Sequence, residues 1–406
     1  MVSSNNYWFY LEPTTFVFKD IEKYLLYNSE NGAKAIVRRN DNIDLFVYDL
    51  QNLNNLYCVN LKNYHQDKCI MSFIKVAREK YMGDIIHCAK APIVIPPIFK
   101  CHADKPTGDL FFSEGTSLMP LLNNITFHLN GSCGQTCKYC SMYYRQFNCC
   151  YKNKEQLSFK DILLKIEHCI STSDISLNFS GGNIFQYNEL DLLLNYLNQK
   201  NIKSNFYFNY LNWDVKYEKY LLYKLFYYHV FIQYPYNENK LHTLMDSIKH
   251  VKDKIHFIFI ITSEEEYLLS DKIINDNNLT WNTILPFYDG SNLCFFQQNV
   301  YLDASDLSEA CPDKNIIYKR QQINVHDFGK LTIDSQGNVF ANINNSKIGN
   351  ISEDLTQIIY NELHSGISWK RIRNNEPCNN CIYQYICPSP SNYEQVIGKN
   401  NLCTIK

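Results

Sequence analysis

Apolar and polar positions follow two different rhythms along this chain. Short apolar runs of strand length return at 125–129, 175–179, 205–209, 229–234, 255–261 and 281–286. Between them apolar residues recur every three or four positions, the spacing of one helix face. The stretch 158–170 carries Phe159, Ile162, Leu163 and Ile166 on one side, and Ser158 with Asp161 after it is a helix-start signal. Further helices are expected at 189–198, 214–227, 238–250 and, shorter, near 264–270. Strands alternating with helices predict a parallel sheet, and right-handed crossovers curl such a series into an arc. Six such units fall short of the eight that close a full barrel, so an α/β fold built on a partial (β/α)6 barrel is expected over 123–300.

The flanks read differently. Residues 1–95 form a small α+β unit, with β-type runs at 8–11, 15–18, 24–27, 35–37 and 45–48 and an amphipathic helix over 72–81. Prolines 92, 96, 97 and 106 mark a linker at 96–122, because proline fixes φ and discourages regular structure. In the last unit, 301–406, residues 330–340 read as a β-hairpin with Gly337 in its turn. Gly349-Asn350 and a helix to about residue 373 follow.

Composition narrows the function. The chain has 406 residues, enough for two or three domains, and a net charge of −2 without a long basic run. Nucleic acid is therefore not the expected partner. No apolar stretch approaches the roughly 18 residues of a membrane span, so no membrane partner is expected. The N-terminus lacks a basic region followed by a cleavage site, and a cytoplasmic location is expected. Sixteen cysteines in a reducing compartment point to metal or clusters rather than disulfides.

Three of those cysteines stand together after the first barrel strand, as Cys133-Gly-Gln-Thr-Cys137-Lys-Tyr-Cys140. The C-x3-C-x2-C spacing lets three thiolates converge on one inorganic centre. Zinc would want a fourth Cys or His nearby, and His128 reads instead as a packed core residue. Thiolates at such spacings hold Fe–S clusters, and three of them leave one iron of four open. The second strand ends in Ser180-Gly181-Gly182-Asn183, where two glycines permit close backbone approach, with N–H groups for a carboxylate or phosphate. Asn209, Gln233 and Tyr234 put polar groups at the ends of the third and fourth strands. A second set, Cys378, Cys381 and Cys387 with Cys403, offers four thiolates, which close either a zinc site or a 4Fe–4S cluster. The remaining cysteines, among them Cys101, Cys149 and Cys150, carry no motif and read as small hydrophobes.

The first motif, with Tyr139 before its last cysteine and Gly181-Gly182 after the second strand, resembles the cluster loop of radical S-adenosylmethionine (SAM) enzymes. The order hairpin, Gly-Asn, helix and C-x2-C-x5-C resembles the SPASM domain that follows the barrel in peptide maturases. Together the two resemblances span about 120–406. They imply a 4Fe–4S cluster on Cys133, Cys137 and Cys140. SAM would sit at its open iron, with Tyr139, Ser180, Gly181, Gly182, Asn183, Asn209 and Gln233 as its contacts. One auxiliary 4Fe–4S cluster would sit on Cys378, Cys381, Cys387 and Cys403 in a SPASM-like Fe–S domain. A second auxiliary cluster is not implied, since Asn342 and Ser391 occupy positions where its cysteines would stand.

Asn183 is a departure, because the family has Glu there and a charge-assisted hydrogen bond is about twice as strong as a neutral one. The N-terminal unit resembles the winged-helix-like leader-recognition element that captures a peptide as an added strand. An unrelated N-terminal decoration is the alternative. The implied activity is modification of a ribosomally synthesised precursor peptide through a 5′-deoxyadenosyl radical, with an external electron donor and a second maturase as further partners. Within the class, the C-terminal pattern is nearest to proteins paired with double-glycine-leader peptides, some of them pseudo-radical-SAM proteins. The rival reading is a catalytically degenerate relative that binds peptide or a partner maturase. No catalytic residue is assigned.

Overall fold

A computed structural model of the chain describes residues 6–97, 118–137, 139–149, 152–170 and 175–405. Most of the expected linker, 98–117, lies outside the described residues, as do Cys101 and Cys150.

Six antiparallel strands open the chain: β1 (Tyr7–Leu11), β2 (Thr15–Lys19), β3 (Lys23–Asn28), β4 (Lys34–Arg38), β5 (Cys58–Asn60) and β6 (Gly83–His87). They form two three-stranded sheets, ordered β5-β1-β6 and β2-β3-β4. Residues 45–48, expected as a strand, lie in the helix Asp41–Leu50. Its buried residues Ile43, Phe46, Val47 and Leu50 keep helical spacing, and Asn40 caps it by accepting from Ile43 N–H, so the local β-type composition is overridden.

The parallel series follows: β7 (Asn124–His128), β8 (Ser176–Ser180), β9 (Ser204–Asn209), β10 (Phe226–Gln233), β11 (Ile255–Ile261) and β12 (Asn282–Pro286). Each pairs in parallel with the next. The helices Phe159–Ile170, Leu190–Gln199, Glu238–Ser247 and Glu264–Asp276 alternate with them. The first begins as its sequence predicts, with Asp161 N–H donating to Ser158 Oγ at 3.2 Å. Residues 214–227, expected as a helix, instead give a 3-10 helix, Val215–Leu222, after which β10 begins at Phe226. Phe226, Tyr228, Val230 and Ile232 alternate into the core on one face of β10, a period of two that a helix cannot satisfy.

The hairpin β13 (Lys330–Ile333) and β14 (Asn338–Phe340), with β15 (Gly349–Asn350), does not stand apart. β13 pairs in parallel with β7, so one open sheet runs β12-β11-β10-β9-β8-β7-β13-β14-β15. The continuous sheet thus crosses the boundary expected near residue 300. The chain has a mixed α/β fold with a large parallel sheet. Among the described residues no helix is long and apolar enough to cross a membrane.

The two faces of this sheet differ in chemistry. Ile125, Phe127, Leu177, Phe179, Phe206, Phe208 and Val230 pack outward in the core against the helices. The alternate positions carry a hydrogen-bonded polar row across six strands. Asn178 donates to Asn124 at 2.9 Å and Asn205 to Asn178 at 3.0 Å. His229 contacts Asn205 at 3.3 Å and His256 at 3.0 Å, and His256 contacts Thr283 at 2.8 Å.

Burial, and then its neighbour His256, hold His229 down to about pKa 3. An unfolded histidine titrates near pH 6.5. The folded state favours the neutral ring, so the contribution to stability is complete above about pH 6.5. It is lost as pH falls, because the unfolded chain takes up a proton that folded His229 refuses. A urea-unfolding series from neutral pH to about pH 5 should show a loss of about 1.4 kcal/mol per pH unit that His229→Gln removes.

Candidate functional site

The site begins where two strand ends are laced together. Leu129 N–H donates to Ser180 O at 2.8 Å, Gly182 N–H to Asn130 O at 2.8 Å and Asn183 N–H to Ser132 O at 2.6 Å. The Asn130 side chain returns a bond to Asn183 O at 2.9 Å. These contacts explain the glycine pair. Gly181 has φ +136°, and a Cβ there would lie 2.5 Å from Asn130 O. A Cβ on Gly182 would lie 2.1 Å from Ser132 O. The expectation that these N–H groups are free for an anion is corrected: those of Gly182 and Asn183 are spent on holding the cysteine loop.

The loop so held brings Cys133, Cys137 and Cys140 to one pocket. Ser180, Gly181, Gly182, Asn209 and Gln233 line it as well, and so does Cys149. Gln233 Oε1 accepts from the Cys137 thiol at 3.6 Å and from the Asn209 amide at 3.1 Å. Gln135 and Asn212, unmarked by any motif, complete the wall, Gln135 donating to Asn212 at 3.2 Å and Asn212 to Gly182 O at 3.3 Å. Burial raises the Cys137 thiol, and Cys133 and Cys140 add to it. The free space is about 30 Å³, close to one water, so loading requires the irregular segment 131–137 to yield.

Among the described residues no group of three or more His, Cys, Asp or Glu is gathered as a single metal ion needs. Tetrahedral zinc would draw its sulfurs to about 2.3 Å from one point. Thiols that share a pocket without meeting at a point suit a polynuclear, thiolate-held cluster better.

Three expected contacts are not on this wall. Asn183 Oδ1 accepts from Phe185 N–H at 3.1 Å and caps the 3-10 helix Ile184–Gln186. Asn183→Ala should therefore cost about 1 kcal/mol in urea unfolding while Asn183→Asp, which keeps the cap, costs little. Tyr139 packs its ring 5.9 Å from Phe287 and its hydroxyl on Asp289. Tyr234 follows Gln233 by one residue and so points to the other face, where its hydroxyl meets Ser270 at 2.6 Å.

Behind the thiols, sharing Tyr207 and Phe231 with their pocket, lies a cavity of about 290 Å³. His128, His326, Asp327 and Lys330 are among its walls. His128 is buried as expected, but its Nδ1 has no hydrogen-bond partner, and burial lowers its pKa to about 4. The polar alternation of β7 was the signal for this inward placement.

The second thiol set is also assembled. Burial pushes Cys387 up to about 12, opposed by Arg373 and reinforced by Cys381, Cys403 and Cys378. Cys403 reaches the group because residue 302 pairs with the chain's end, Leu302 N–H donating to Leu402 O at 2.9 Å. Phe16, Phe18, Leu25 and Tyr27 of the N-terminal unit pack beside it on Ile382, Tyr385 and Ile386. Where a further cluster's ligands would stand, Asn342 donates to Asp327 at 2.9 Å and to Asn392 at 2.7 Å. Arg371 pairs with Asp327 at 3.3 Å and donates to Ser391 O at 3.1 Å. An amide and ion-pair network fills that place.

No protein-family model matches the chain, and no curated protein matches it. Solved structures do. Streptococcus suis SuiB bound to S-adenosylmethionine aligns over 97% of this chain and 97% of its own, at 13% identity and TM-score 0.50. SuiB bound to its precursor peptide SuiA aligns over 97% of each at 14% identity and TM-score 0.49. The enzyme anSMEcpe with bound AdoMet aligns over 66% of this chain and 87% of its own, at 13% identity and TM-score 0.46. At such identities the likeness is one of fold, and over nearly its whole length the chain shares the fold of SuiB.

Proposed function

We propose that the chain is a radical SAM enzyme that modifies a ribosomally made precursor peptide. The observation that carries this reading is the pocket at the C-terminal end of β7, where Cys133, Cys137 and Cys140 meet the polar ends of β8, β9 and β10. SuiB, which has this fold, was solved with S-adenosylmethionine bound. When bound, the cluster and SAM would supply a 5′-deoxyadenosyl radical that takes hydrogen from the peptide. The chain's own residues bind and orient. The three thiols would hold the cluster, Asn209 and Gln233 would take polar groups of SAM beside Cys137, and the glycine pair keeps the loop seated. Cys378, Cys381, Cys387 and Cys403 would hold one auxiliary cluster. The leader would add as a strand at the free edge of β4, where Ile36 is 53% exposed.

The test is whether anaerobically reconstituted, reduced protein turns SAM into 5′-deoxyadenosine, with and without a candidate precursor peptide. Wild type is expected to do so and Cys137→Ala to make none. The degenerate reading is favoured by one observation, the commitment of the Asn183 side chain to a cap. Wild type inert under strong reductant, with peptide present, would establish that reading.

A further inference from the structure

The segment that follows the cysteine motif does not leave the pocket. After the short helix Cys140–Tyr143 it turns back across the mouth of the sheet and is tied down on several sides. Arg145 donates to Asn344 at 2.9 Å, and Asn344 returns a bond to Arg145 O at 2.8 Å. Gln146 exchanges two 2.9 Å bonds with the backbone of Tyr288. Ser180 Oγ donates to Asn148 O at 2.6 Å, and the Asn148 side chain meets the Tyr207 hydroxyl. These ties come from the ends of four separate strands' neighbourhoods, and the residue they deliver is Cys149.

Cys149 lines the same pocket as Cys133, Cys137 and Cys140. A cysteine kept only for packing has a different setting in this chain. Cys169 is 0% exposed and sits in the apolar core outside the sheet, among helices. Cys149 faces three other sulfurs instead, close enough that all three oppose its ionisation. Three thiolates leave one iron of a cubane open, whereas four close it.

Resting on the reading of this pocket as a cluster site, we propose that Cys149 supplies a fourth thiolate to the cluster and closes the iron that SAM would take. The exchange is one of ligands, with no electron moved. Cys149 releases its proton to solvent as its sulfur binds iron. It recovers a proton when the amino and carboxylate groups of SAM displace it. An internal ligand lowers the apparent affinity of its competitor by the fraction of time the site is open, so nine-tenths occupancy weakens SAM binding about tenfold.

The test uses the full chain, reconstituted anaerobically, as wild type, Cys149→Ala, Cys149→Ser and Cys137→Ala. Iron content, SAM binding by calorimetry and electron paramagnetic resonance after mild oxidation are read on each. Oxidation strips an iron that lacks a thiolate and leaves the signal of a three-iron cluster. Cys149→Ala is expected to keep the wild-type iron content, bind SAM about tenfold tighter and show a three-iron signal that wild type lacks. Cys149→Ser, nearly isosteric, should show the same signal even where the alanine variant folds poorly. SAM affinity and three-iron signal unchanged from wild type in both Cys149 variants would overturn the proposal and leave the cluster reading standing. Undiminished iron in Cys137→Ala would overturn the cluster reading itself.

Discussion

Gly182→Ala should empty the first thiol site while leaving the C-terminal thiols loaded. The added methyl would stand 2.1 Å from Ser132 O, 2.5 Å from Ser132 C and 3.0 Å from Gly131 C. All three are backbone atoms, so no rotamer change relieves the contact, and the turn after β8 and the cysteine loop must part. Parting breaks the bonds from Gly182 to Asn130 and from Asn183 to Ser132, which seat Cys133 beside the pocket. Overpacking of this kind costs about 1–3 kcal/mol, and more where only backbone can move. With about four irons per cubane, reconstituted iron should fall from about eight to about four per chain. Replacing Cys133, Cys137 and Cys140 in the Gly182→Ala background should remove nothing further. Full iron in Gly182→Ala would show that the glycine serves the turn alone.

Arg373→Ala should cost about 3–5 kcal/mol, read by urea unfolding, because it strands a buried carboxylate. Arg373 and Glu394 are 9% and 4% exposed at the side chain and lie 2.9 Å apart as an ion pair without hydrogen-bond geometry. The same guanidinium donates to Pro388 O at 2.5 Å and to Cys378 Sγ at 3.7 Å. Its loss therefore also removes the cation nearest the C-terminal thiols, and iron or zinc held there should leave first. A charge effect and a packing effect are separable. Arg373→Met with Glu394→Leu removes both charges and should recover most of the stability, as replacement of buried pairs by apolar groups often does. A double variant as unstable as Arg373→Ala would assign the cost to packing.

The periodic positions of this chain determined a good deal by themselves. Six strands with helices between them followed from apolar spacing, because a sheet buried beneath helices needs its outward face apolar at every second residue, as in Ile125 and Phe127. The C-x3-C-x2-C motif and the polar strand ends that share its pocket were also legible, since strand direction alone puts those ends together. What only the tertiary structure decided is what each polar atom does. Asn183 and the amides of Gly182 and Asn183 read as ligand groups until the cysteine loop was seen lying on them. β13 read as part of a separate hairpin, because strand pairing between residues some 200 positions apart leaves no local trace. The inward row from Asn124 to Thr283 and the return of Cys149 to the thiols have the same cause. Each joins residues on different strands or loops, so their partners are set by the fold's long-range geometry, and no spacing within a single segment encodes it.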